Sequence, residues 1–376
     1  MAEIVIPDTL RPHDGRFGSG PSKVRPEAVL ALADTSAAFL GTSHRRPTVR
    51  AVVGRVRDGM RELFSLPDGY EVLLGNGGTT AFWDAASFGL IERRSQHVTI
   101  GEFSSKFAAV TKKAPHLDDP EIIDTAPGLV PAPCRAADGI DAYCFPHNET
   151  STGATCEVRR PAGTTGDDAL VLVDATSAAG GLRVDPKEFD VYYFAPQKCF
   201  GGDGGLWLAL CSPAAVTRIE KITAGDRWRP ASLDLGIALE QSRLDQTYNT
   251  PALATLFLIA HTVEWMLAIG GLEGCAQRCD ESAGIVYGWA EANPHATPFV
   301  ADAARSNVTA TIDFDESIDA ERVVAALRAN GILDVDPYRK LGRNQLRIAL
   351  FPAIDPDDVA RLTSCIDYVI EHLDAS

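Results

Sequence analysis

The chain predicts an α/β fold, an open and mostly parallel sheet flanked by helices, followed by a smaller α+β unit at the C-terminal end. Three observations carry this. Strand-length apolar runs alternate with helix-period segments through about residue 260, and such alternation builds parallel sheets with helices on both faces. Two runs, Ala169–Asp174 and Val191–Ala195, carry no polar alternation, as expected of strands buried on both faces. Toward the C-terminus the pattern becomes strand, helix, strand, helix, which suits a two-layer sandwich.

Taken in order, Pro26–Asp34 and Arg50–Phe64 place apolar residues at helical spacing. Tyr70–Gly75 reads as a strand running into Asn76-Gly-Gly78-Thr79-Thr80 and then a helix. That junction offers backbone amides, two hydroxyls and a helix dipole to an anion such as phosphate. It lacks the Gly-Lys-Ser/Thr ending of a Walker loop and the glycine spacing of a dinucleotide fingerprint, and taken alone such turns are common structural punctuation. Thr125–Gly139, rich in Pro and Ala, reads as a loop or insertion. Leu253–Gly270 is an apolar helix ending at Gly-Gly, a link between units. Beyond it Val308–Phe314 and Gln345–Phe351 read as strands, and Ala320–Asn330 and Asp355–Leu373 as helices. There is no internal repeat.

Two strand ends carry the chemistry. Val191–Ala195 delivers Lys198 into the glycine-rich turn Gly201-Gly-Asp-Gly-Gly205. Burial there would lower the ammonium pKa and make the amine a nucleophile toward an aldehyde. A lone lysine before glycines is more often a surface residue. Asp174, however, ends the preceding buried strand, one strand–crossover–strand unit upstream, where open α/β sheets bind ligands. Pyridoxal phosphate needs this pair, a lysine for its aldehyde and an acid for its pyridine nitrogen.

With these motifs stand Phe17-Gly-Ser-Gly-Pro-Ser22, Gly41-Thr-Ser-His44-Arg45, Asn148-Glu-Thr150, Asp174-Ala-Thr-Ser, Ala195-Pro-Gln197-Lys198, Tyr248-Asn249-Thr250-Pro251 and Leu346-Arg347-Ile. In this order the chain resembles the phosphoserine aminotransferases, class V enzymes of pyridoxal phosphate fold type I, and most closely their actinobacterial branch. The resemblance implies an N-terminal segment (1–16), a large cofactor-binding domain (17–265) around a mostly parallel seven-stranded sheet, and a small α+β domain (266–376). It implies that Lys198 bonds the cofactor and moves the substrate α-proton, and that Asp174 partners the pyridine nitrogen. Gln197 and Thr150 match polar cofactor contacts, and Gly78, Thr79 and Thr80 match the phosphate turn. Asn249 and Thr250 match residues that reach the phosphate from the other subunit of a homodimer.

On the substrate side the resemblance implies that Arg347 holds the α-carboxylate. His44 and Arg45 resemble the pair that meets the distal carboxylate of L-glutamate or the phosphate of 3-phosphooxypyruvate, with Arg46 equally readable as a basic surface loop. The implied ping-pong reaction gives O-phospho-L-serine and 2-oxoglutarate, in serine biosynthesis and also on the longer 4-phosphate keto acid of pyridoxine biosynthesis. Two positions depart from the family pattern. Thr79 stands where many members have an arginine, for which Arg45, Arg46, Arg339, Lys340 or Arg343 could compensate. Phe103 stands where many stack a tryptophan on the cofactor ring, and an aromatic face is retained.

Composition sets outer bounds. With 376 residues, 45% hydrophobic and 23% charged, the chain has the make-up of a soluble globular protein of two domains. A formal net charge of −16 argues against nucleic acid, while local arginines can still attract anions into a cleft. No run reaches transmembrane length and the first residues lack a signal-peptide pattern, so the expected location is the cytoplasm. Eight cysteines are scattered without zinc-site spacing; they read as reduced thiols, and no metal is expected. Three alternatives remain: a serine- or alanine-glyoxylate aminotransferase, a class V lyase of the cysteine desulfurase kind, and a pyridoxal phosphate carrier.

Overall fold

The computed structural model describes residues 4–165 and 169–373. Residues 1–3 of the expected N-terminal segment and 374–376 of the expected C-terminal unit lie outside them. The strands are β1 (Glu71–Asn76), β2 (Ser95–Thr99), β3 (Glu121–Asp124), β4 (Ala142–Pro146), β5 (Asn148–Glu149), β6 (Ala154–Thr155), β7 (Leu170–Asp174), β8 (Val191–Phe194), β9 (Leu206–Cys211), β10 (Ala296–Pro298), β11 (Thr309–Phe314) and β12 (Gln345–Ala349). The α-helices are α1 (Pro26–Asp34), α2 (Pro47–Leu63), α3 (Thr79–Gly89), α4 (Glu102–Lys113), α5 (Pro213–Ala224), α6 (Leu235–Arg243), α7 (Leu253–Ala268), α8 (Gly271–Ala292), α9 (Ala320–Ala329) and α10 (Pro356–His372).

The main sheet has seven strands in the order β1-β9-β8-β7-β4-β2-β3. Pairings are parallel from β8 through β7, β4 and β2 to β3, while β9 is antiparallel to both neighbours. The α/β expectation therefore holds. The direction of β9 was not legible in its sequence, because a fully buried run such as Leu206–Cys211 looks the same either way. Its reversal has a consequence for Lys198: an antiparallel neighbour needs only a turn, not a crossover helix, so residues 195–205 stay at one edge of the sheet. The C-terminal ends of β1, β4, β7 and β8 meet at that edge.

Alternate residues of the central strands feed two different cores. Val72 and Leu74, Val171 and Val173, and Tyr192 and Phe194 join the larger apolar cluster. Leu73, Leu170 and Leu172, and Val191 and Tyr193 join the cluster on the other face, with Phe82, Trp83 and Phe107. Covering both faces leaves no position for polar alternation, which accounts for the continuous apolar runs; each large side chain so buried contributes about 1.5–3 kcal/mol.

The later elements follow the predicted strand–helix–strand–helix order as β11, α9, β12 and α10, with β10 added to give an antiparallel sheet β10-β11-β12. The Gly270–Gly271 break carries φ values of +107° and +67°, conformations that favour glycine, and α7 and α8 bend there by 86°. No single helix among the described residues is long and apolar enough to cross a membrane. The N-terminal stretch pairs with the C-terminal unit through Phe17 N to Leu333 O (3.2 Å) and Ala349 N to Phe17 O (3.1 Å), then crosses to the sheet edge that holds Lys198.

Candidate active site

At the C-terminal edge of the sheet lies a cavity of about 290 Å³ whose lining includes Gly78, Thr79, Thr80, Phe103, Thr150, Asp174, Gln197 and Lys198. Eight residues singled out from the sequence therefore meet in one place. Lys198 is only 8% exposed, and its Nζ donates to the Ser19 carbonyl. Burial, reinforced by the Arg347 charge, lowers its pKa to about 8, so about a tenth of the amine is neutral at pH 7. A Cβ on Gly20 would fall 2.4 Å from Lys198 Nζ. Glycine is required there, which gives the Gly-Ser-Gly-Pro motif its physical meaning.

Asp174 ends β7 beside β8, and its carboxylate is oriented from two sides. Trp83 Nε1 donates to Oδ2 at 3.1 Å, and Thr176 donates to Oδ1 through its amide (3.0 Å) and hydroxyl (2.6 Å). Burial raises its pKa while these donors oppose the rise. Thr79, the first residue of α3, shares a 2.8 Å hydrogen bond with Thr176. The phosphate turn and the acid are thus tied together, and the threonine that replaces the family arginine has a defined partner. Gly78 is the N-cap of α3 and no side chain caps that terminus, leaving first-turn amides aimed at the cavity edge.

Arg347, on β12, does not line the cavity but stands at its rim. Its Nη1 lies 3.5 Å from the Thr150 carbonyl and its guanidinium 5.4 Å from the Tyr338 ring centroid. Burial lowers its pKa, and its buried Nε has no partner among the described residues. Tyr338 also meets Phe103 at 5.9 Å, while Lys340 pairs with Glu102. Arg343 is held by Asp313. Two of the cations that could replace the missing arginine are therefore already engaged with carboxylates.

His44, Arg45, Asn249 and Thr250 are not in this cavity. His44 Nδ1 and Thr250 Oγ1 are 3.0 Å apart, the Thr250 carbonyl accepts from Asn76 Nδ2 (2.8 Å), and Arg45 Nη1 donates to Gln246 Oε1 (2.6 Å). Arg45 and Thr250 are exposed. These residues form a separate rim cluster beyond the end of β1.

The sequence reading missed Trp83, Thr176, Asn148 and Ser177, all of which line the cavity. Thr176 and Ser177 stand in the Asp174-Ala-Thr-Ser motif and were within reach of the sequence. Trp83 lies one helical turn after Thr79. Cys199 is buried with Sγ 3.5 Å from the Ser177 carbonyl, and burial pushes its thiol pKa up. It sits in the turn after β8. No cluster of three metal-ligating side chains occurs among the described residues.

The residues fit pyridoxal phosphate on structural grounds: a depressed lysine amine, a buried carboxylate held by three donors, an uncapped helix start, and a buried Gln197 Oε1 without a partner among the described residues. A model of the class V aminotransferases matches residues 17–333. A phosphoserine aminotransferase from a Nocardioides species is 60% identical over 371 residues, spanning 98% of this chain and 99% of the relative. Among solved structures, the phosphoserine aminotransferase of Cytophaga hutchinsonii superposes with a TM-score of 0.84 at 24% identity, covering 94% of this chain and 99% of that one. The pyridoxal phosphate-bound enzyme of Trichomonas vaginalis gives 0.81 at 19% identity, covering 94% and 100%; these two likenesses speak to the fold. The chain belongs to the class V aminotransferases, as a transaminase of the phosphoserine aminotransferase family.

Proposed function

We propose that this chain is a cytoplasmic, pyridoxal phosphate-dependent phosphoserine aminotransferase. It moves the amino group from L-glutamate to 3-phosphooxypyruvate, giving O-phospho-L-serine for serine biosynthesis and 2-oxoglutarate. The observation that carries the reading is the convergence of Lys198, Asp174 and the α3 N-terminus on one cavity, with the half-buried Arg347 at its rim. The 60% identical relative bears this enzyme's name. The proposal includes the division at residues 17–265 and 266–376.

In this reading Gly78, Thr79 and Thr80 hold the cofactor phosphate, Asp174 holds the pyridine nitrogen, Phe103 covers the ring face, and Lys198 bonds the aldehyde. Thr150 and Gln197 complete the polar contacts. Pyridoxal phosphate bound there supplies an electron-accepting ring that stabilises negative charge at the substrate α-carbon. Lys198 Nζ, poised with a pKa of about 8, takes the α-proton of glutamate and in the second half-reaction gives a proton to the α-carbon of the acceptor. Arg347 fixes the α-carboxylate of both substrates, so that the bond to be broken is oriented before the proton moves.

His44, Arg45, Asn249 and Thr250 complete the site of the other subunit in a homodimer. Their absence from the lining of their own chain's cavity and the exposure of Arg45 and Thr250 support this arrangement. A desulfurase-type lyase is disfavoured because no cysteine lines the cavity. The test is a coupled assay of the cofactor-loaded protein with L-glutamate, comparing 3-phosphooxypyruvate, glyoxylate and pyruvate as acceptors. Turnover confined to the phosphorylated acceptor is expected; faster turnover of glyoxylate or pyruvate would reassign the chain within the same family.

A further inference from the structure

Behind the cavity wall lies a carboxylate that the reaction does not use. Glu149 is 0% exposed, and no cation bonds to it among the described residues. Five donors converge on it instead. Oε2 accepts from Phe103 N (3.1 Å), Ser104 N (3.0 Å) and Ser104 Oγ (2.9 Å), and Oε1 accepts from Ser151 N (3.2 Å) and Ser151 Oγ (2.6 Å). The Ser151 hydroxyl in turn accepts from Glu102 N at 3.1 Å.

The amides of Glu102, Phe103 and Ser104 are the first three of α4, and its N-cap, Gly101, has no side chain to satisfy them. Segment 149–151 therefore supplies the whole cap, and the Glu149 charge sits at the positive end of the helix dipole. A Cβ on Gly101 would meet Glu149 Cγ at 2.5 Å and Ser151 Oγ at 2.6 Å, so the absence of a side chain at the N-cap is what admits the carboxylate. The flanking residues Asn148 and Thr150 line the cavity, as do Phe103 and Ser104. One carboxylate thus fastens two opposing stretches of wall.

We infer that Glu149 is a positioning residue for the cofactor cavity: by capping α4 from the β5 segment it sets the spacing between Phe103, whose ring covers the cofactor, and Thr150, whose carbonyl stands against Arg347. This rests on the cofactor reading above. Replacing Glu149 by Gln keeps the volume but turns one acceptor into a donor facing donors, so the α4 start and the Thr150 segment lose register.

The experiment is titration of the apo forms of wild type, Glu149→Gln, Ser104→Ala and Ser151→Ala with pyridoxal phosphate, read by the visible circular dichroism of the bound cofactor, with the apo melting temperature measured in parallel. Glu149→Gln is expected to bind the cofactor at least tenfold more weakly with a diminished dichroic band. The serine variants, which each remove a single hydroxyl and keep the charge, are expected to fall between it and wild type. Wild-type affinity and dichroism in Glu149→Gln, whatever its melting temperature, would overturn the inference. Should Glu149→Gln fail to fold, serine variants that lose thermal stability but keep wild-type affinity and dichroism would overturn it equally. Wild-type protein that takes up no pyridoxal phosphate would overturn the cofactor reading itself.

Discussion

The cavity around Lys198 and the rim cluster around His44 differ in how the fold holds them. Lys198 and Asp174 are 8% exposed; Asp174 ends β7, Lys198 stands in the turn after the adjacent parallel strand β8, and both are hydrogen-bonded within the chain. Arg45 and Thr250 are exposed and belong to irregular segments beyond the end of β1. The first region owes its geometry to backbone pairing inside the sheet. The second has contacts of its own and none of its residues lines the cavity; under the proposed homodimer its use depends on what it faces outside the chain. A buried strand end can be complete alone; an exposed rim acquires a role from a neighbour.

The largest effect should come from the centre of the first region. Lys198→Ala is expected to lower transamination by at least about a thousandfold and to abolish the cofactor adduct that borohydride reduction fixes on that peptide, read by mass spectrometry. Retained turnover would remove Lys198 from its assigned role. Arg347→Ala should raise KM for both glutamate and the keto acid about 30–150-fold, the worth of lost charge-assisted hydrogen bonds of about 2–3 kcal/mol. A rise for one substrate only would break the shared-carboxylate assignment.

The rim is tested by complementation. A His44→Ala/Arg45→Ala chain and a Lys198→Ala chain, each inactive or nearly so, should recover about a quarter of wild-type activity when refolded together, because half of the two-fold dimers then hold one intact composite site. No recovery would place the rim in the service of its own chain. The pH dependence sharpens the electrostatic side of the comparison. With a Lys198 pKa of about 8, the neutral amine grows with pH, so cofactor uptake by the apo form should accelerate about tenfold per unit below pH 8 and level off above it. A flat profile between pH 6 and 8 would mean that Lys198 is not the amine being titrated. The smallest effect is assigned to Trp83→Phe, which keeps the ring packed on Phe107 but deletes the donor to Asp174. Cofactor affinity should fall about fivefold, on the scale of one hydrogen bond of about 1 kcal/mol net, while the melting temperature moves little.

Several ranges were legible because short-range chemistry fixes them. Pro26–Asp34 matches α1 residue for residue, since a proline starts it and apolar spacing sustains it. The strand end at Asp174 followed from an apolar run that stops at a polar turn, and β8 ends at Phe194, one residue before the expected Ala195. Legibility failed where a side chain serves a distant segment. Trp83 falls at a helical core spacing, and nothing local says that its indole nitrogen reaches Asp174. Glu149 read only as part of a family motif, because the helix it caps begins at Gly101, far away along the chain.

By itself the sequence determined the alternation of strands and helices, the two-sided burial of the central strands, and the candidate pair Lys198 and Asp174, all consequences of side-chain period and of glycine at turns. Tertiary structure decided the reversal of β9, the chain of contacts from Trp83 through Asp174 and Thr176 to Thr79, the standing of Arg347 at the rim, and the separation of His44 and Thr250 from the cavity. Those features depend on which distant segments the sheet order and the closing of the two units bring together. Local propensity carries no record of that choice, because the hydrogen bonds and buried area that enforce it exist only once the chain has folded.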